Sequence, residues 1–157
     1  MKNNNLFMKK IKGYIMKNDE YHENLLKEID LIQNIINRMA KNSFLIKGWA
    51  VTLISVIIVF SGNRFRFYYC ALILIGFWAL DAYYLYIERR YRELYQWVIK
   101  NRKNNSDFIF DLNTYRKGLI NENSCIFYIK SLTSPTMILF YVLLVVVLLI
   151  IPIFAKF

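Results

Sequence analysis

Residues 67–87 read FYYCALILIGFWALDAYYLYI, and this stretch decides the fold class. A transmembrane helix needs about 20 mostly apolar residues to cross the hydrocarbon core of a bilayer. The stretch meets that length and holds a single charged residue, Asp81. It contains no proline, so nothing in it interrupts a continuous helix. We therefore predict that residues 67–87 cross a membrane.

Two further stretches have the same character. Residues 44–60 read FLIKGWAVTLISVIIVF, in which Lys47 lies one turn from the end and can extend its ammonium group toward water. Residues 137–155 read MILFYVLLVVVLLIIPIFA and are the most hydrophobic of the three. The preceding Thr133-Ser134-Pro135 is typical of a helix start, so we predict a span over 135–156.

The predicted fold class is an all-α integral membrane protein with three transmembrane helices. The alternative is a soluble protein in which the same stretches are core helices. The chain has 157 residues, and 57% of them are hydrophobic. A chain of this size offers too little polar surface to cover three such helices, so we prefer the membrane protein.

The basic residues predict the orientation of the spans. Eight Lys and Arg residues precede the first span and nine lie between residues 89 and 130, whereas the loop between the first two spans holds only Arg64 and Arg66. The tail holds only Lys156. Cytoplasmic loops are the ones enriched in Lys and Arg. We therefore predict a bacterial inner-membrane protein with a cytoplasmic N-terminus and an external C-terminus.

The first two spans are predicted to be the membrane halves of longer helices. Apolar residues recur at helical spacing before the first span and after the second, and no proline interrupts either pattern. We predict one helix over 19–61, capped by Asn18 or Asp19, and another over 67–104, joined by a short external loop at 62–66. The two would pack as an antiparallel hairpin that extends into the cytoplasm. The apolar positions are Leu25, Leu26, Ile29, Ile32, Ile35, Ile36 and Met39 in the first helix, and Tyr84, Ile87, Tyr91, Leu94, Tyr95 and Val98 in the second.

Two segments lie outside this hairpin and the last span. Residues 1–18 are basic and amphipathic, and they are either a helix on the anionic inner leaflet or a frayed terminus. Residues 105–134 are predicted to form a cytoplasmic cap. Within it, DFIFDLNTY and CIFYIKSL would form either a short hairpin or a compact cap.

Polar residues inside the predicted spans are the first candidate site. Asp81 is costly in hydrocarbon unless it is paired or hydrated, and Lys47 lies at similar depth in the neighbouring helix. Asp81 therefore either pairs with Lys47 or lines a water-filled vestibule that attracts cations. Thr52 and Ser55 share one face of the first span, where they either hold helices together or line a pore.

Basic residues of the predicted cytoplasmic part are the second candidate site. They serve either as the orientation signal with headgroup contact or as a site for an anionic nucleotide or oligonucleotide, because guanidinium groups bind phosphate well. Tyr91, Tyr95 and Trp97 would then stack on bases. The candidate ligand residues are Arg38, Lys41, Arg89, Arg90, Arg92, Arg102, Lys103, Arg116 and Lys117.

The residues that enzymes commonly use are scarce in this sequence. His22 is the only histidine, which leaves one weak candidate for a nucleophile-activating base. Asp107 and Asp111 alone are poor evidence for a metal site, and no glycine-rich phosphate loop occurs. We therefore expect a protein that is not an enzyme and that needs no metal or cofactor. Cys70 and Cys125 do not suggest a disulfide framework.

Two blocks carry a resemblance to a known group, namely INRMAKNSFLIKGW at 36–49 and FWALDAYYLYIERRYRELY at 77–95. They resemble small membrane effectors of bacterial anti-phage defence, of the Hailong type or a related nucleotide-gated kind. The resemblance also takes in DLNTY and SLTSPTMILFY and so covers most of the chain.

The resemblance implies a homo-oligomeric channel that a nucleotide-derived signal from a partner enzyme opens, followed by membrane depolarisation and abortive infection. Membrane lipid, further copies of the chain and the signal would be its partners, and duplex nucleic acid would not. A constitutive holin-like toxin and a non-conducting scaffold for a cytoplasmic partner are the alternatives.

Overall fold

The described residues of the computed structural model form four α-helices. The backbone is described for residues 2–60, 66–102, 109–116, 118–120 and 123–154, and the side chains for the parts of these ranges within 19–60 and 68–150. The helices are α1 (Lys2–Phe60), α2 (Arg66–Asn101), α3 (Ser124–Leu132) and α4 (Pro135–Phe154). The chain is therefore all-helical within these ranges. Most of the predicted external loop at 62–66 and the end of the predicted last span at 155–156 lie outside the described residues.

Helix α1 begins earlier than the sequence pattern predicted. It is continuous from Lys2, so Asn18 and Asp19 lie inside the helix and neither caps its start. No proline occurs in residues 2–18, and nothing there breaks the ladder of backbone hydrogen bonds. With 59 residues, α1 is about 90 Å long at 1.5 Å per residue. The side chains of residues 1–18 are outside the described set, so contact with a leaflet stays a prediction.

Helices α1 and α2 pack against each other as the predicted hairpin. Away from the apolar stretches, Ile32 and Ile36 of α1 pack with Leu94 and Val98 of α2 in one buried cluster. These four residues belong to the predicted stripes. Leu26 was predicted to widen the stripe of α1, but 63% of its side chain is exposed. A single neighbouring helix buries only a narrow face, and Leu26 lies outside it.

Helix α4 begins at Pro135, where the Thr133-Ser134-Pro135 sequence predicted a helix start. It packs on the apolar half of α2, with Met137, Tyr141 and Leu148 in a buried cluster that also contains Leu74 of α2 and Ile54 of α1. Helix α2 therefore lies between α1 and α4.

The segment CIFYIKSL is helical. Of the two forms predicted for this part of the chain, a short hairpin or a compact cap, the hairpin is therefore not formed by this segment. The segment forms α3, which meets α4 at an angle of 46°. Pro135 has no N–H to continue the backbone ladder across this break. Two side chains of α2 bind carbonyl groups beside it: the Arg89 guanidinium donates to Lys130 O at 3.1 Å, and the Trp78 indole donates to Leu132 O at 3.2 Å. These bonds fix the position of the bend.

Within the described residues, α1 and α2 are the two helices long and apolar enough to cross a membrane, over Asp19–Phe60 and Tyr68–Asn101. The bent pair of α3 and α4 would supply a third such element if it is counted as one span. Many large apolar side chains remain exposed on these helices, among them Phe44, Trp49, Leu72 and Leu139. Exposed apolar area on this scale is typical of surfaces that meet lipid or another protein.

A buried ion pair joins α1 to the end of α2. Glu28 and Arg102 are 1% and 2% exposed, and the Arg102 Nε donates to Glu28 Oε2 at 2.9 Å. A second Arg102 nitrogen binds the other carboxylate oxygen, so the contact is bidentate. Tyr21 also donates to the carbonyl of Arg102. Removing one member of such a pair leaves an uncompensated charge in a place that water does not reach.

We expect Arg102→Leu to lower the free energy of unfolding by about 3 kcal/mol, because the Glu28 carboxylate stays buried without its cation. The double variant Glu28→Leu/Arg102→Leu should regain most of that loss, since two apolar side chains then meet. Thermal unfolding of the detergent-solubilised protein, followed by circular dichroism, measures both. A double variant less stable than the single one would contradict the role given to the pair.

The matched control is Glu23→Ala, which removes an exposed ion pair. Lys27 Nζ lies 2.6 Å from Glu23 Oε1, and its hydrogen bond and charge hold the pKa of Glu23 below the usual value. Both side chains are exposed, so solvent screens the interaction. We expect the unfolding temperature of this variant to stay close to that of the parent.

Candidate functional site

The first site is a buried polar cluster centred on Asp81, which has no exposed surface. Its Oδ2 lies 2.5 Å from Lys47 Nζ. Ser43 donates a hydrogen bond to Oδ1, and the Tyr141 hydroxyl donates to Oδ2 at 3.3 Å. Ser43, Lys47, Asp81 and Tyr141 are called the Asp81 cluster below. It draws one carboxylate of α2 together with groups from both neighbouring helices.

Local sequence explains how the Asp81 cluster forms. Ser43 and Lys47 are four residues apart on α1 and so share a face, and Lys47 Nζ donates to Ser43 Oγ at 2.9 Å. The ammonium group also lies 5.9 Å from the centre of the Phe140 ring of α4. A buried carboxylate is tolerated when it is paired and its oxygens accept hydrogen bonds. Asp81 meets both conditions, and the predicted pair with Lys47 forms.

Thr52 and Ser55 lie apart from the Asp81 cluster on an exposed face of α1. The Thr52 hydroxyl donates to Gly48 O at 3.0 Å and the Ser55 hydroxyl to Val51 O at 2.8 Å, both within their own helix. Neither therefore holds α1 to α2 or α4 through its hydroxyl. Their face remains accessible to another copy of the chain, to water or to lipid, and contact between copies and pore lining both remain predictions.

Arg90 of the predicted basic surface is buried, with 4% of its area exposed. It donates to Thr114 O at 2.6 Å, to the Tyr86 hydroxyl at 3.0 Å and to Ser124 Oγ at 3.2 Å. Its guanidinium group also lies 3.8 Å from the centre of the Tyr115 ring. A hydrogen bond with Tyr86 raises the pKa of Tyr115 above its usual value. Arg90 thus holds the loop before α3 against α2.

Other predicted ligand residues also bind groups of the same chain. Arg89 donates to Ser134 Oγ at 2.9 Å in addition to Lys130 O. Arg102 is paired with Glu28, as described above. The Arg116 guanidinium lies 4.0 Å from the centre of the Trp97 ring and 3.8 Å from an Asp111 oxygen. In this conformation these three arginines contribute to packing. Lys103 and Lys117 lie outside the described residues.

Three of the predicted ligand residues are accessible. Arg38 and Lys41 of α1 are exposed, and Arg92 of α2 is 60% exposed although it lies 2.7 Å from Glu88. Arg92 also lines a polar groove of about 360 Å³ between α1 and α2. The other residues of the groove are Gln33, Ile36, Asn37, Tyr95 and Gln96, and Gln33 Nε2 donates to the Tyr95 hydroxyl at 3.2 Å. The sequence pattern did not single out this groove.

Sequence reasoning missed several partners within these clusters. Ser43 was detectable because it lies four residues before Lys47 on the same helix face. Glu28 was detectable because it falls at the spacing of the buried stripe, four residues before Ile32. Nothing in the sequence pattern indicated that Thr114 binds Arg90, because this contact depends on how an irregular loop folds back on α2.

Comparison with protein-family models, curated proteins and solved structures found no match for this chain. The fold of the described residues supports the class of helical proteins, with two helices long and apolar enough to cross a membrane. In the described part of the chain, no group of three or more His, Cys, Asp or Glu side chains is placed to hold a metal ion.

We expect Asp81→Asn to destabilise the protein by about 2 kcal/mol, because an amide does not neutralise Lys47 and donates where the carboxylate accepted. Thermal unfolding in detergent and ion selectivity in a planar bilayer measure the two roles of Asp81 separately. Lower stability with unchanged selectivity supports pairing alone. Altered selectivity at unchanged stability indicates that Asp81 faces an ion path. Thr133→Val, which removes an exposed hydroxyl bonded to the carbonyl of Ile129 four residues earlier, is the control for the stability measurement.

We expect Arg90→Lys to release the loop before α3, because an ammonium group cannot reproduce the hydrogen bonds to Thr114, Tyr86 and Ser124 together with stacking on Tyr115. Amide hydrogen exchange over residues 109–120, read by mass spectrometry, should then rise about tenfold. The matched control is Arg92→Lys, an exposed arginine two residues away, which should leave exchange in that loop unchanged. Equal exchange in the parent and Arg90→Lys would show that other contacts hold the loop.

Proposed function

We propose that this chain is a subunit of a homo-oligomeric pore in the bacterial inner membrane and acts as an effector of anti-phage defence. A nucleotide-derived signal from a partner enzyme opens the pore, and the resulting depolarisation ends support for the phage. The observation that carries the proposal is the exposed face of α1 with Thr52 and Ser55. Their polar side chains lie among apolar ones, and none of the other helices in the described part of the chain covers them.

The proposal places three spans in the membrane, with the apolar parts of α1 and α2 as the first two and α4 as the third. The distribution of Lys and Arg supports a cytoplasmic N-terminus and an external C-terminus. The hairpin of α1 and α2 then extends into the cytoplasm, with Glu28 and Arg102 joining its two helices there. The Asp81 cluster would lie within the membrane, near its cytoplasmic face.

Further copies of the chain complete the proposed pore. Small residues allow helices in a membrane to approach closely, and hydroxyl groups there bind across helices or contact water in a channel. On α1, Gly48 lies four residues before Thr52 on the same exposed face. A ring of α1 helices would place these residues together around an axis and leave α4 against lipid.

The signal is proposed to bind at the accessible cations Arg38, Lys41 and Arg92, which lie on the cytoplasmic hairpin. Arg89 and Arg90 connect α2 to α3 and to the preceding loop. Movement of α2 would therefore reach α3 and α4 through bonds that already exist. A signal that binds the open state about 10⁴-fold more tightly than the closed state shifts the population almost fully.

A non-conducting scaffold is the second candidate. The observation that favours it is the complete pairing of Asp81, which leaves no acidic side chain of the cluster exposed to an ion path. A scaffold would use the same long hairpin to hold a cytoplasmic partner at the membrane. A constitutive holin-like toxin would need membrane spans. It would not need a cytoplasmic part held together by its own ion pairs and hydrogen bonds.

Ion flux from liposomes that contain the purified full chain decides among these functions. With short single-stranded oligonucleotides of random sequence added, we expect flux that is absent without them. Flux without any addition would favour the constitutive toxin, and flux under neither condition would favour the scaffold.

Two sets of variants test the proposed residues in the same assay. Thr52→Val/Ser55→Ala should reduce the flux about tenfold by making the pore wall apolar. Its matched control is Thr133→Val, which removes another exposed hydroxyl bonded to the carbonyl four residues earlier. Arg38→Gln/Lys41→Gln should raise the oligonucleotide concentration needed for half-maximal flux, whereas Lys100→Gln, on an exposed cation at the end of α2, should not.

A further inference from the structure

An apolar crevice of about 340 Å³ opens between α2 and α4. One wall comes from α2 and the other from α4, in the stretches whose composition predicts membrane spans. No charged residue lines it. The residues that matter for its chemistry are Leu74 and Trp78 of α2 and Ile138, Tyr141, Val142 and Val145 of α4.

The two aromatic residues in the crevice direct their polar atoms to other partners. The Trp78 indole N–H donates to Leu132 O at 3.2 Å. The Tyr141 hydroxyl donates to Asp81. Their rings, 6.2 Å apart between centroids, therefore present carbon to the crevice. A molecule inside it finds no hydrogen-bond partner in these side chains, which selects for a hydrocarbon.

The size of the crevice favours an acyl chain over an α-helix as its occupant. Its volume of about 340 Å³ is roughly twice that of an engineered 150 Å³ cavity that holds one benzene molecule. An α-helix with its side chains is about 10–12 Å across and would not enter a space of this volume. A single acyl chain is thin enough to do so.

The end of the crevice nearest α3 carries positive charge. Trp78 lies at this end and binds the last turn of α3 through Leu132. The same turn carries the exposed side chain of Lys130, and the carbonyl of Lys130 accepts a hydrogen bond from Arg89. Two cations beside an apolar crevice complement a molecule with a hydrocarbon chain and a phosphate at one end.

We propose that the crevice between α2 and α4 binds one acyl chain of a bilayer phospholipid, with the lipid phosphate beside Lys130 and Arg89. The proposal rests on the membrane placement of α2 and α4 given under the proposed function. The lipid would complete the packing between these helices and cover the rings of Trp78 and Tyr141. It would act as a structural component of each protomer.

Retention of lipid by the full chain tests the proposal. The protein is reconstituted in nanodiscs of phosphatidylglycerol, transferred to a mild detergent, purified, and examined by native mass spectrometry. Ala71→Trp fills the crevice from the α2 wall and should retain about tenfold less lipid than the parent. Its matched control is Leu72→Trp, the next residue, which is 71% exposed and does not line the crevice. The control should retain lipid as the parent does.

Two additional variants keep the test decisive. Val142→Trp fills the crevice from the α4 wall and should repeat the loss if Ala71→Trp fails to fold. Lys130→Gln should weaken retention of phosphatidylglycerol without filling the crevice. Equal retention by the parent and both filling variants would overturn the proposal, and so would a parent that retains no lipid.

The remaining outcomes separate this proposal from the membrane placement on which it rests. Resistance of the parent to carbonate extraction from membranes shows that the chain is integral, and a parent that is extracted removes the basis of the crevice proposal and of the pore alike. A filling variant with a smaller oligomeric mass but an unchanged lipid count would assign the crevice to a second copy and overturn the lipid site. Loss of lipid with normal signal-dependent flux would support the lipid site and show that the pore does not require it.

Discussion

Asp81 carries a carboxylate with no exposed surface in the apolar half of α2. The counter-ion and hydrogen-bond donors that this carboxylate requires determine how α1 and α4 are arranged on α2. A buried charge requires a counter-ion and donors for both of its oxygens. Lys47 and Ser43 of α1 supply these from one side, and Tyr141 of α4 supplies a hydrogen bond from the other. Apolar contacts would allow α1 and α4 to slide or rotate on α2, but these directional bonds allow one register.

Buried charges are also paired with groups from other segments in the part of the protein that is proposed to be cytoplasmic. Arg90 and Arg102 are buried and bound to groups from other segments, and Arg89 binds the end of α3. Part of the strong positive charge of the chain therefore serves internal packing instead of a ligand. A net charge of +10 overstates the basic surface that a partner can reach. Of the predicted ligand residues whose side chains the structure describes, Arg38, Lys41 and Arg92 are the exposed ones.

Much of the fold follows from periodicity, because helices with one buried face leave a regular pattern. The stripe with Ile32, Ile36, Leu94 and Val98, the pair of Lys47 with Asp81 and the helix start at Pro135 were all detectable in the sequence. The start of α1 was not, because Asn18 and Asp19 favour a cap but do not enforce one. The roles of the arginines were also hidden, since the loop around Thr114 and Tyr115 has no period that would reveal its contact with Arg90.

The chain order of the Asp81 cluster bears on biosynthesis in the proposed membrane placement. Ser43 and Lys47 leave the ribosome before Asp81. The Lys47 ammonium group is therefore already present in α1 when the Asp81 carboxylate of α2 enters the bilayer. Tyr141 follows 60 residues after Asp81 and adds its hydrogen bond last. Insertion of α1 and α2 as a pair thus never exposes a lone acid to hydrocarbon, and α4 docks onto a hairpin whose charge is already balanced.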